Sequence, residues 1–203
     1  MKAICIGRNY AAHAEEFDDV VPEEPIFFLK PDTSIITRNR PFFLPDFSGE
    51  IQYETEIVLK INRVGKNIQK KFAQRYFREI TTGIDFTARD LQRKCIKNGR
   101  PWEVAKAFEG SAPLGKFVHK DRFGDIHNLD FGLQINGKSV QVGNTRDMVY
   151  SFEDLIAYVS RFFTLKMGDL IFTGTPSGVG PVSAGDRLTA SIQDKTLLDF
   201  QVK

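Results

Sequence analysis

The segment 51–61 shows the clearest pattern in the chain. Its odd positions carry Ile, Tyr, Thr, Ile, Leu and Ile, and its even positions carry Gln52, Glu54, Glu56, Val58 and Lys60. A period of two residues places alternate side chains on opposite faces of a β-strand. The pattern therefore predicts a strand with one apolar face, and such a strand needs a sheet and a core to be stable.

Several shorter segments also have strand character. They are short apolar runs next to turn signals, at residues 2–6, 26–29, 81–86, 170–172 and 188–192. In addition, Asn136-Gly137 separates an apolar run at 131–135 from another at 138–142. Asn-Gly between two such runs is the strongest short signal for a β-hairpin, so we expect a hairpin here.

Helical periodicity is confined to four segments, at 10–17, 67–79, 89–97 and after Ser151. The last has the best start signal, because Ser151 and Asp154 have the spacing of a capping box. Strands outnumber helices and do not alternate regularly with them. This favours an α+β fold with a mixed, curled sheet. No compositional break divides the chain, so we expect a single domain over 1–203.

Charge and cysteine content exclude several classes of function. The 203 residues include 28 basic and 26 acidic ones, for a net charge of +2. This balance provides no electrostatic basis for binding nucleic acid or an anionic membrane. Two cysteines without a CxxC spacing argue against a disulfide scaffold or a zinc site. With no apolar run long enough for a signal peptide or a membrane span, we expect a cytoplasmic protein.

Three carboxylates are the first candidates for a metal site. Glu54 and Glu56 project from the same face of the predicted strand, where a hard cation such as Mg²⁺ would offset their repulsion. The pattern alone favours the other interpretation, a solvent-exposed strand face. Asp85 lies between Ile84 and Phe86, and a carboxylate among apolar neighbours needs a partner or a metal. A cap of the following helix explains Asp85 equally well.

Other polar residues allow further hypotheses, each with an ordinary alternative. His13 and Glu16 are three residues apart, so they share a helix face and can activate a water molecule or form a surface ion pair. Four basic residues can clamp a carboxylate or be solvated charges: Arg8, Lys30, Arg89 and Lys106. The Gly-rich segment 174–180 is no phosphate-binding loop of the Walker type, because no Lys-Ser/Thr follows it.

In combination and order, the motifs resemble the fumarylacetoacetate hydrolase family, and within it the short branch of acylpyruvate hydrolases and oxaloacetate decarboxylases. The segments that carry the resemblance run through nearly the whole chain: GRNY (7–10) with His13 and Glu16, FLKP (28–31), YETE (53–56), GIDFTARDLQ (83–92), AKAF (105–108), NTRDM (144–148), and GD (168–169) with TGTPSGVG (173–180). The usual Gly-rich turn before the last strand is replaced by QDKT at 193–196.

The resemblance implies a mixed β-sandwich roll with a few peripheral helices, usually assembled as a homodimer. It implies Mg²⁺ or Mn²⁺ bound by Glu54, Glu56 and Asp85. It also implies a water-activating pair, His13 and Glu16, on a mobile lid at about residues 10–25. The expected substrate-binding and catalytic positions are Arg8, Lys30, Arg89, Gln92, Lys106 and Thr175.

The expected activity is metal-dependent hydrolysis of the C–C bond of an acylpyruvate-type 2-oxo acid, which yields pyruvate and a carboxylic acid. The alternatives are decarboxylation of oxaloacetate, or isomerase, hydratase or tautomerase activity on a related 2-oxo acid. A non-enzymatic metal-binding or nucleic-acid-binding module is a remote alternative.

Overall fold

The structure is a computed structural model that describes the backbone of residues 1–16 and 21–203, and the side chains of 1–13 and 21–203. The strands are β1 (Ala3–Gly7), β2 (Ile26–Lys30), β3 (Ile35–Ile36), β4 (Ile51–Tyr53), β5 (Thr55–Ile61), β6 (Phe77–Ile84), β7 (Thr87–Ala88), β8 (Ala112–Pro113), β9 (Val118–His119), β10 (Asp130–Ile135), β11 (Lys138–Asn144), β12 (Leu170–Phe172), β13 (Gly180–Pro181), β14 (Arg187–Ile192) and β15 (Lys195–Gln201). The α-helices are α1 (Ala11–Glu16), α2 (Arg89–Lys97), α3 (Glu103–Lys106) and α4 (Phe152–Phe162), and 3₁₀ turns occur at Asp32–Ser34, Lys70–Tyr76, Lys120–Arg122 and Thr145–Asp147.

The largest sheet has six strands in the order β2-β1-β12-β5-β6-β9. Strand β1 pairs parallel with β12, whereas β12–β5 and β5–β6 are antiparallel. The sheet is therefore mixed, as the sequence predicts. Strand β5 lies inside this sheet, and both of its faces are covered. Ile57 and Leu59 belong to one core cluster and Val58 to another.

The predicted strand at 51–61 is two strands, because the chain bends at Glu54. Before the bend, β4 pairs with β7 in a three-stranded sheet; after it, β5 pairs with β6 in the six-stranded sheet. The neighbouring strand β6 also leaves the six-stranded sheet here, because Asp85 and Phe86 connect it to β7. The backbone N–H of Asp85 donates to the carbonyl of Glu54 over 2.8 Å, which holds the two bends together.

A four-stranded antiparallel sheet, β11-β10-β14-β15, packs against the others. Its Phe131 and Ile192 share a core cluster with Ile57 of β5, and its Leu133 and Phe200 share a second cluster with Phe86. Mixed sheets that share cores, with few helices around them, confirm the α+β sandwich class. The predicted Asn136-Gly137 hairpin is confirmed by the β10–β11 pairing.

Helix α4 covers one face of the six-stranded sheet. The Ser151 hydroxyl accepts from the N–H of Asp154, and the Asp154 carboxylate accepts from the N–H of Ser151, so the predicted capping box is present. Phe152, Leu155 and Val159 are fully buried in the core that also contains Ile57. The predicted helix at 89–97 is confirmed as α2.

The predicted helix at 67–79 is wrong. A 3₁₀ turn occupies Lys70–Tyr76, and Phe77 begins strand β6. Phe77 is fully buried opposite Ile61 of β5, whereas Phe72, placed on the buried face by the helical pattern, is 38% exposed. Pairing with β5 outweighs the local periodicity because a strand inside a sheet satisfies its backbone groups and buries its side chains at once.

Both cysteines, Cys5 and Cys95, are buried and unbridged. Among the described residues, no helix combines the length and the apolar character needed to traverse a lipid bilayer.

Candidate metal centre and active site

The bends at residues 54 and 85 bring three carboxylates together. Glu54, Glu56 and Asp85 are buried, with 6%, 1% and 1% of their surfaces exposed, and each offers an oxygen within 4.8 Å of the others. Glu54 lies at the first bend, Glu56 faces Gly83 across the β5–β6 ladder, and Asp85 lies at the second bend. The solvent-exposed interpretation of Glu54 and Glu56 is therefore wrong, because protein covers both side chains.

The interpretation of Asp85 as a helix cap is also wrong. Helix α2 begins after Ala88 without any side-chain cap. The Asp85 carboxylate instead points at Lys30 and Lys106, whose ammonium nitrogens lie 2.8 and 3.0 Å from its oxygens.

The three carboxylates fit a hard divalent cation. Within the described structure, Oδ1 of Asp85 is buried and accepts no hydrogen bond, although it lies 2.8 Å from Nζ of Lys30. That ammonium donates instead to the carbonyl of Lys106, to Ser111 Oγ at 2.8 Å and to the carbonyls of Phe86 and Ser111 at 3.3 and 3.2 Å. Lys30 therefore supplies this buried oxygen with a positive charge but no hydrogen bond, and a bound cation would satisfy its unused lone pairs.

Glu56 gives a second indication of a cation. Burial, together with the negative charges of Asp85 and Glu54, raises the pKa of the Glu56 carboxyl well above its usual value. Oxygen-only ligands are those that Mg²⁺, Mn²⁺ and Ca²⁺ prefer.

Lys106, at the end of α3, orients two of the three carboxylates. Its Nζ donates to Glu54 Oε2 at 2.8 Å, to Asp85 Oδ2 at 3.0 Å and to Thr87 Oγ1 at 2.5 Å. An ammonium has three N–H donors, so all of them bind protein acceptors. Burial lowers the pKa of Lys106, but Asp85 and Glu54 outweigh this effect and raise it above the usual value.

Arg89, the first residue of α2, supports the same cluster from the other side. Its Nη2 donates to Glu54 Oε1 over 2.6 Å and its Nε donates to Gln52 Oε1 over 2.8 Å, while Nη1 donates to Gln92. Burial opposes ionisation of Glu54, but Lys106 and Arg89 hold the pKa of its carboxyl well below the usual value. Glu54 is therefore ionised at neutral pH.

A cavity of about 360 Å³ opens onto these groups. The predicted site residues that line it are Arg8, His13, Glu54, Glu56, Asp85, Arg89, Gln92, Lys106 and Thr175. Lys30 is fully buried behind Asp85 and does not line this cavity. Glu16 ends α1, and its side chain lies outside the described residues, as do residues 17–20 of the predicted lid.

The Gly-rich loop closes one side of the cavity. The N–H of Gly174 donates to Glu56 Oε2 over 2.6 Å, and Gln141 Nε2 donates to Thr175 Oγ1 over 2.9 Å. Gly174 has φ +100°, and a Cβ there would lie 2.7 Å from Cβ of Asn9. Only glycine combines this backbone conformation with so close an approach, so the loop binds through its backbone, and its glycine is a structural requirement.

Sequence reasoning missed the apolar wall of the cavity. Phe28, Ile96 and Trp102 line it, and the rings of Phe28 and Trp102 lie 6.2 Å apart. Thr87, which donates to Glu54 Oε1 over 3.1 Å, was also missed as a partner of that carboxylate. The position of Thr87, two residues after Asp85, could have identified it as a partner of the carboxylates. No local sequence pattern identifies Phe28 or Trp102 as cavity residues.

Comparison with known proteins agrees with this geometry. Residues 2–203 match the family model described as fumarylacetoacetate (FAA) hydrolase C-terminal. Oxaloacetate tautomerase YcgM of Escherichia coli is 40% identical over 97% of this chain and 90% of its own length. The mitochondrial oxaloacetate tautomerase FAHD1 of Bos taurus is 38% identical over 98% of this chain and 90% of its own length.

Solved structures show the same relationship. The fumarylpyruvate hydrolase from Pseudomonas aeruginosa, solved in complex with Mn²⁺ and pyruvate, superposes with a TM-score of 0.93 at 36% identity, covering 100% of this chain and 89% of that one. A sequence match over nearly the whole chain, the shared fold and the carboxylate cluster agree with one another. The chain belongs to the fumarylacetoacetate hydrolase family.

Proposed function

We propose that the chain is a divalent-cation-dependent enzyme that acts on a short 2-oxo acid by stabilising its enolate form. The observation that carries this proposal is the cluster of Glu54, Glu56 and Asp85, which are buried together beside a cavity with carboxylate oxygens within 4.8 Å of one another. These three residues would hold Mg²⁺ or Mn²⁺. The Pseudomonas relative, which was solved with Mn²⁺ and pyruvate, supports this choice of ion and ligand class.

The protein residues prepare the site for an anionic substrate. A bound cation would supply Lewis acidity toward the carboxylate and 2-oxo oxygens of the substrate. Lys106 and Arg89 keep Glu54 ionised, and their hydrogen bonds orient Glu54 and Asp85. Arg8 and Thr175 also line the cavity, and a cationic group and a hydroxyl suit the polar end of a 2-oxo acid.

The leading reaction is the keto–enol tautomerisation of oxaloacetate. A proton leaves C3 and another is added to the 2-oxo oxygen, or the reverse, and no other bond is broken. This reaction needs an electron sink, which a cation held by Glu54, Glu56 and Asp85 would provide. It is favoured by the curated relatives, which include the oxaloacetate tautomerases of Escherichia coli and Bos taurus at 38–40% identity over nearly the whole chain. The sequence alone favoured hydrolysis of an acylpyruvate and placed tautomerisation among the alternatives.

Hydrolysis of an acylpyruvate is the second candidate. Water would add to the distal ketone, the C–C bond would break, and the pyruvate enolate would be protonated to give pyruvate and a carboxylic acid. His13, which is 9% exposed and lines the cavity, favours this reaction because it can activate water. Glu16 would be its partner. Decarboxylation of oxaloacetate would pass through the same enolate.

A metal-dependent substrate screen with product identification tests the proposal. The purified protein is treated with a chelator, reloaded with Mg²⁺ or Mn²⁺, and offered oxaloacetate enol, acetylpyruvate and fumarylpyruvate. We expect metal-dependent conversion of oxaloacetate enol to the keto form without release of CO₂. Pyruvate with a carboxylic acid would instead identify the hydrolase, and pyruvate with CO₂ the decarboxylase. Absence of metal-dependent turnover with every substrate would contradict the proposal.

A homodimer, a cytoplasmic location and a lid that carries His13 and Glu16 belong to the same proposal. Gel filtration with light scattering tests the dimer. The Glu16→Gln variant tests the lid residue, since we expect it to bind Mg²⁺ normally and to lose acylpyruvate hydrolysis if that activity is present.

A further inference from the structure

One face of helix α2 forms part of the cavity wall. Four of its residues line the cavity: Arg89, Gln92, Arg93 and Ile96. Their spacing of i, i+3, i+4 and i+7 places them on the same side of the helix. Arg93 follows Arg89 by one helical turn, about 6 Å along the axis. The Arg89 side chain is 7% exposed and that of Arg93 is 60% exposed, so this face runs from the buried carboxylates to the mouth of the cavity.

Arg93 differs from the two buried cations of the cavity wall in its hydrogen bonds. All three N–H donors of Lys106 bind protein acceptors, and Arg89 binds Glu54 and two side-chain amides. In the part of the chain that the structure describes, the Arg93 side chain donates only to Glu50, from Nη2 to Oε2 and from Nη1 to Oε1 over 3.4 Å. A guanidinium has five N–H donors, so Arg93 retains donors for an anion.

The contact between Arg93 and Glu50 holds the guanidinium in place at little cost to exchange. The Glu50 side chain is 31% exposed, and an ion pair this accessible to water contributes little stability. Glu50 is itself fixed, because Gln52 Nε2 donates to its Oε1 over 2.9 Å and Gln52 Oε1 accepts from Arg89 Nε over 2.8 Å. A second carboxylate can therefore bind to Arg93 beside Glu50 or displace it.

The rest of the cavity offers few places for a second carboxylate of a ligand. Phe28, Ile96 and Trp102 form an apolar wall, and a carboxylate packed against apolar side chains loses its hydration without compensation. The other arginine that lines the cavity without binding Glu54 is Arg8, which the proposed function assigns to the 2-oxo acid group. Arg93 is then the cation that remains for a distal anionic group.

We propose that Arg93 is a specificity-determining residue, which binds the distal carboxylate of a dicarboxylic 2-oxo acid whose other end lies at Glu54, Glu56 and Asp85. The planar fork of a guanidinium suits a carboxylate, which it can bind through two parallel hydrogen bonds. Oxaloacetate and fumarylpyruvate have such a distal carboxylate, whereas acetylpyruvate ends in a methyl group. The inference rests on the proposed function and narrows its substrate class to dicarboxylates.

Binding of two stable 2-oxo acids tests this assignment without turnover. 2-Oxoglutarate has a carboxylate where 2-oxovalerate has a methyl group, and the two molecules are otherwise the same. Isothermal titration calorimetry with the Mg²⁺-loaded protein measures both affinities. We expect the wild type to prefer 2-oxoglutarate, and we expect Arg93→Gln to reduce this preference roughly fivefold or more, the scale of one charge-assisted hydrogen bond. Only the affinity for 2-oxoglutarate should fall.

Two further variants separate contact from general electrostatics. Lys94, the next residue of α2, is exposed and does not line the cavity. Lys94→Gln removes the same charge from the helix as Arg93→Gln does, and it should keep the preference of the wild type. Arg93→Lys keeps the charge without the planar fork, and it should keep part of the preference.

Kinetics with oxaloacetate give an independent readout. In Arg93→Gln we expect KM to rise while kcat stays within about twofold, because Arg93 binds the distal end of the substrate and not the reacting atoms. Circular dichroism and the Mg²⁺ affinity should match the wild type.

Three results would overturn the role of Arg93. They are a wild type without preference for 2-oxoglutarate, an unchanged preference in Arg93→Gln, and an equal weakening of both ligands in that variant. If the wild type turns over no 2-oxo acid, the proposed function fails, and the binding preference still decides whether Arg93 receives a distal carboxylate.

Discussion

At the scale of single residues, the site is built from charges that are costly to bury. Lys30, Arg89 and Lys106 are buried beside Glu54 and Asp85 at hydrogen-bonding distances. Buried ion pairs of this kind contribute little net stability, because desolvation offsets their attraction. Their presence is explained by the geometry that they impose on the carboxylates, which agrees with the proposed cation site.

Asp85→Asn should weaken Mg²⁺ binding roughly tenfold or more, the scale on which even indirect support of a ligand acts. The substitution replaces an anionic ligand by a neutral amide. It also leaves the ammonium groups of Lys30 and Lys106 with less negative charge to balance them. Isothermal titration calorimetry measures the affinity, with circular dichroism as the check of folding.

Asp121→Asn is the matched control for this change. The side chain of Asp121 is 75% exposed, and it is absent from the carboxylate cluster, so the control should bind Mg²⁺ like the wild type. An unchanged affinity in Asp85→Asn would remove Asp85 from the ligand set.

At the scale of elements, two local structures position the chain around the site. The β5–β6 ladder and its continuation in β4–β7 carry the carboxylates to the bend. Helix α4, which begins directly after Tyr150 and Ser151, is fixed by its capping box. Burial raises the pKa of the Asp154 carboxyl, but hydrogen bonds from Lys70 and Ser151 outweigh burial and hold it below its usual value of 3.8.

Asp154→Asn should lower the free energy of unfolding by about 1 kcal/mol near neutral pH, the usual contribution of a helix N-terminal contact. Because the folded-state pKa is depressed, this stabilisation is fully present above pH 3.8 and is lost as the pH falls through the lower folded-state value. Urea unfolding at about pH 6.5 and about pH 2 measures the difference.

The difference between wild type and Asp154→Asn should therefore shrink at the lower pH. Asp147→Asn is the control, because the side chain of Asp147 is 60% exposed. Its free energy of unfolding should stay close to that of the wild type at either pH. A difference that stays constant or grows on acidification would contradict the assigned role of Asp154.

At the scale of the whole molecule, the site lies where separately packed sheets meet. Val58 and Phe172 belong to one core cluster, Ile57 to a second and Ile84 to a third. Gly83 lies among them, opposite Glu56 and two residues before Asp85. The relative positions of the carboxylates therefore depend on how all three cores pack, not on one strand.

Gly83→Ala should destabilise the protein by about 1–3 kcal/mol, the usual effect of overpacking. A Cβ at this position would lie 2.7 Å from Phe172 Cε1 and 2.8 Å from Val58 Cγ2, inside van der Waals contact. We also expect weaker Mg²⁺ binding, because β6 must shift under Asp85. Urea unfolding and calorimetry measure the two effects.

Gly49→Ala is the control, since a Cβ at Gly49 would meet no atom within 4 Å. Stability and metal affinity should stay near those of the wild type. If Gly83→Ala behaves like Gly49→Ala, the close packing at the bend does not determine the ligand geometry.

Much of the local structure could be predicted from the sequence. The Asn136-Gly137 hairpin, the capping box at Ser151 and Asp154, and helix α2 were all predicted and are present. These features depend on contacts between residues that are close in the chain, so nearby side chains determine them. The family motifs predicted the carboxylate set, and the structure places Glu54, Glu56 and Asp85 within 4.8 Å of one another.

The rest was decided by tertiary structure. Alternation along 51–61 shows which residues share a face but not what covers that face, and the predicted solvent-exposed face of Glu54 and Glu56 is buried. The 3.6-residue period at 67–79 was outweighed by the pairing of Phe77 with β5. The sequence by itself determined the local turns, caps and residue types. Long-range packing, which no local pattern encodes, decided which residues are buried and which strands pair. It also brought Lys30 to Asp85 across the fold.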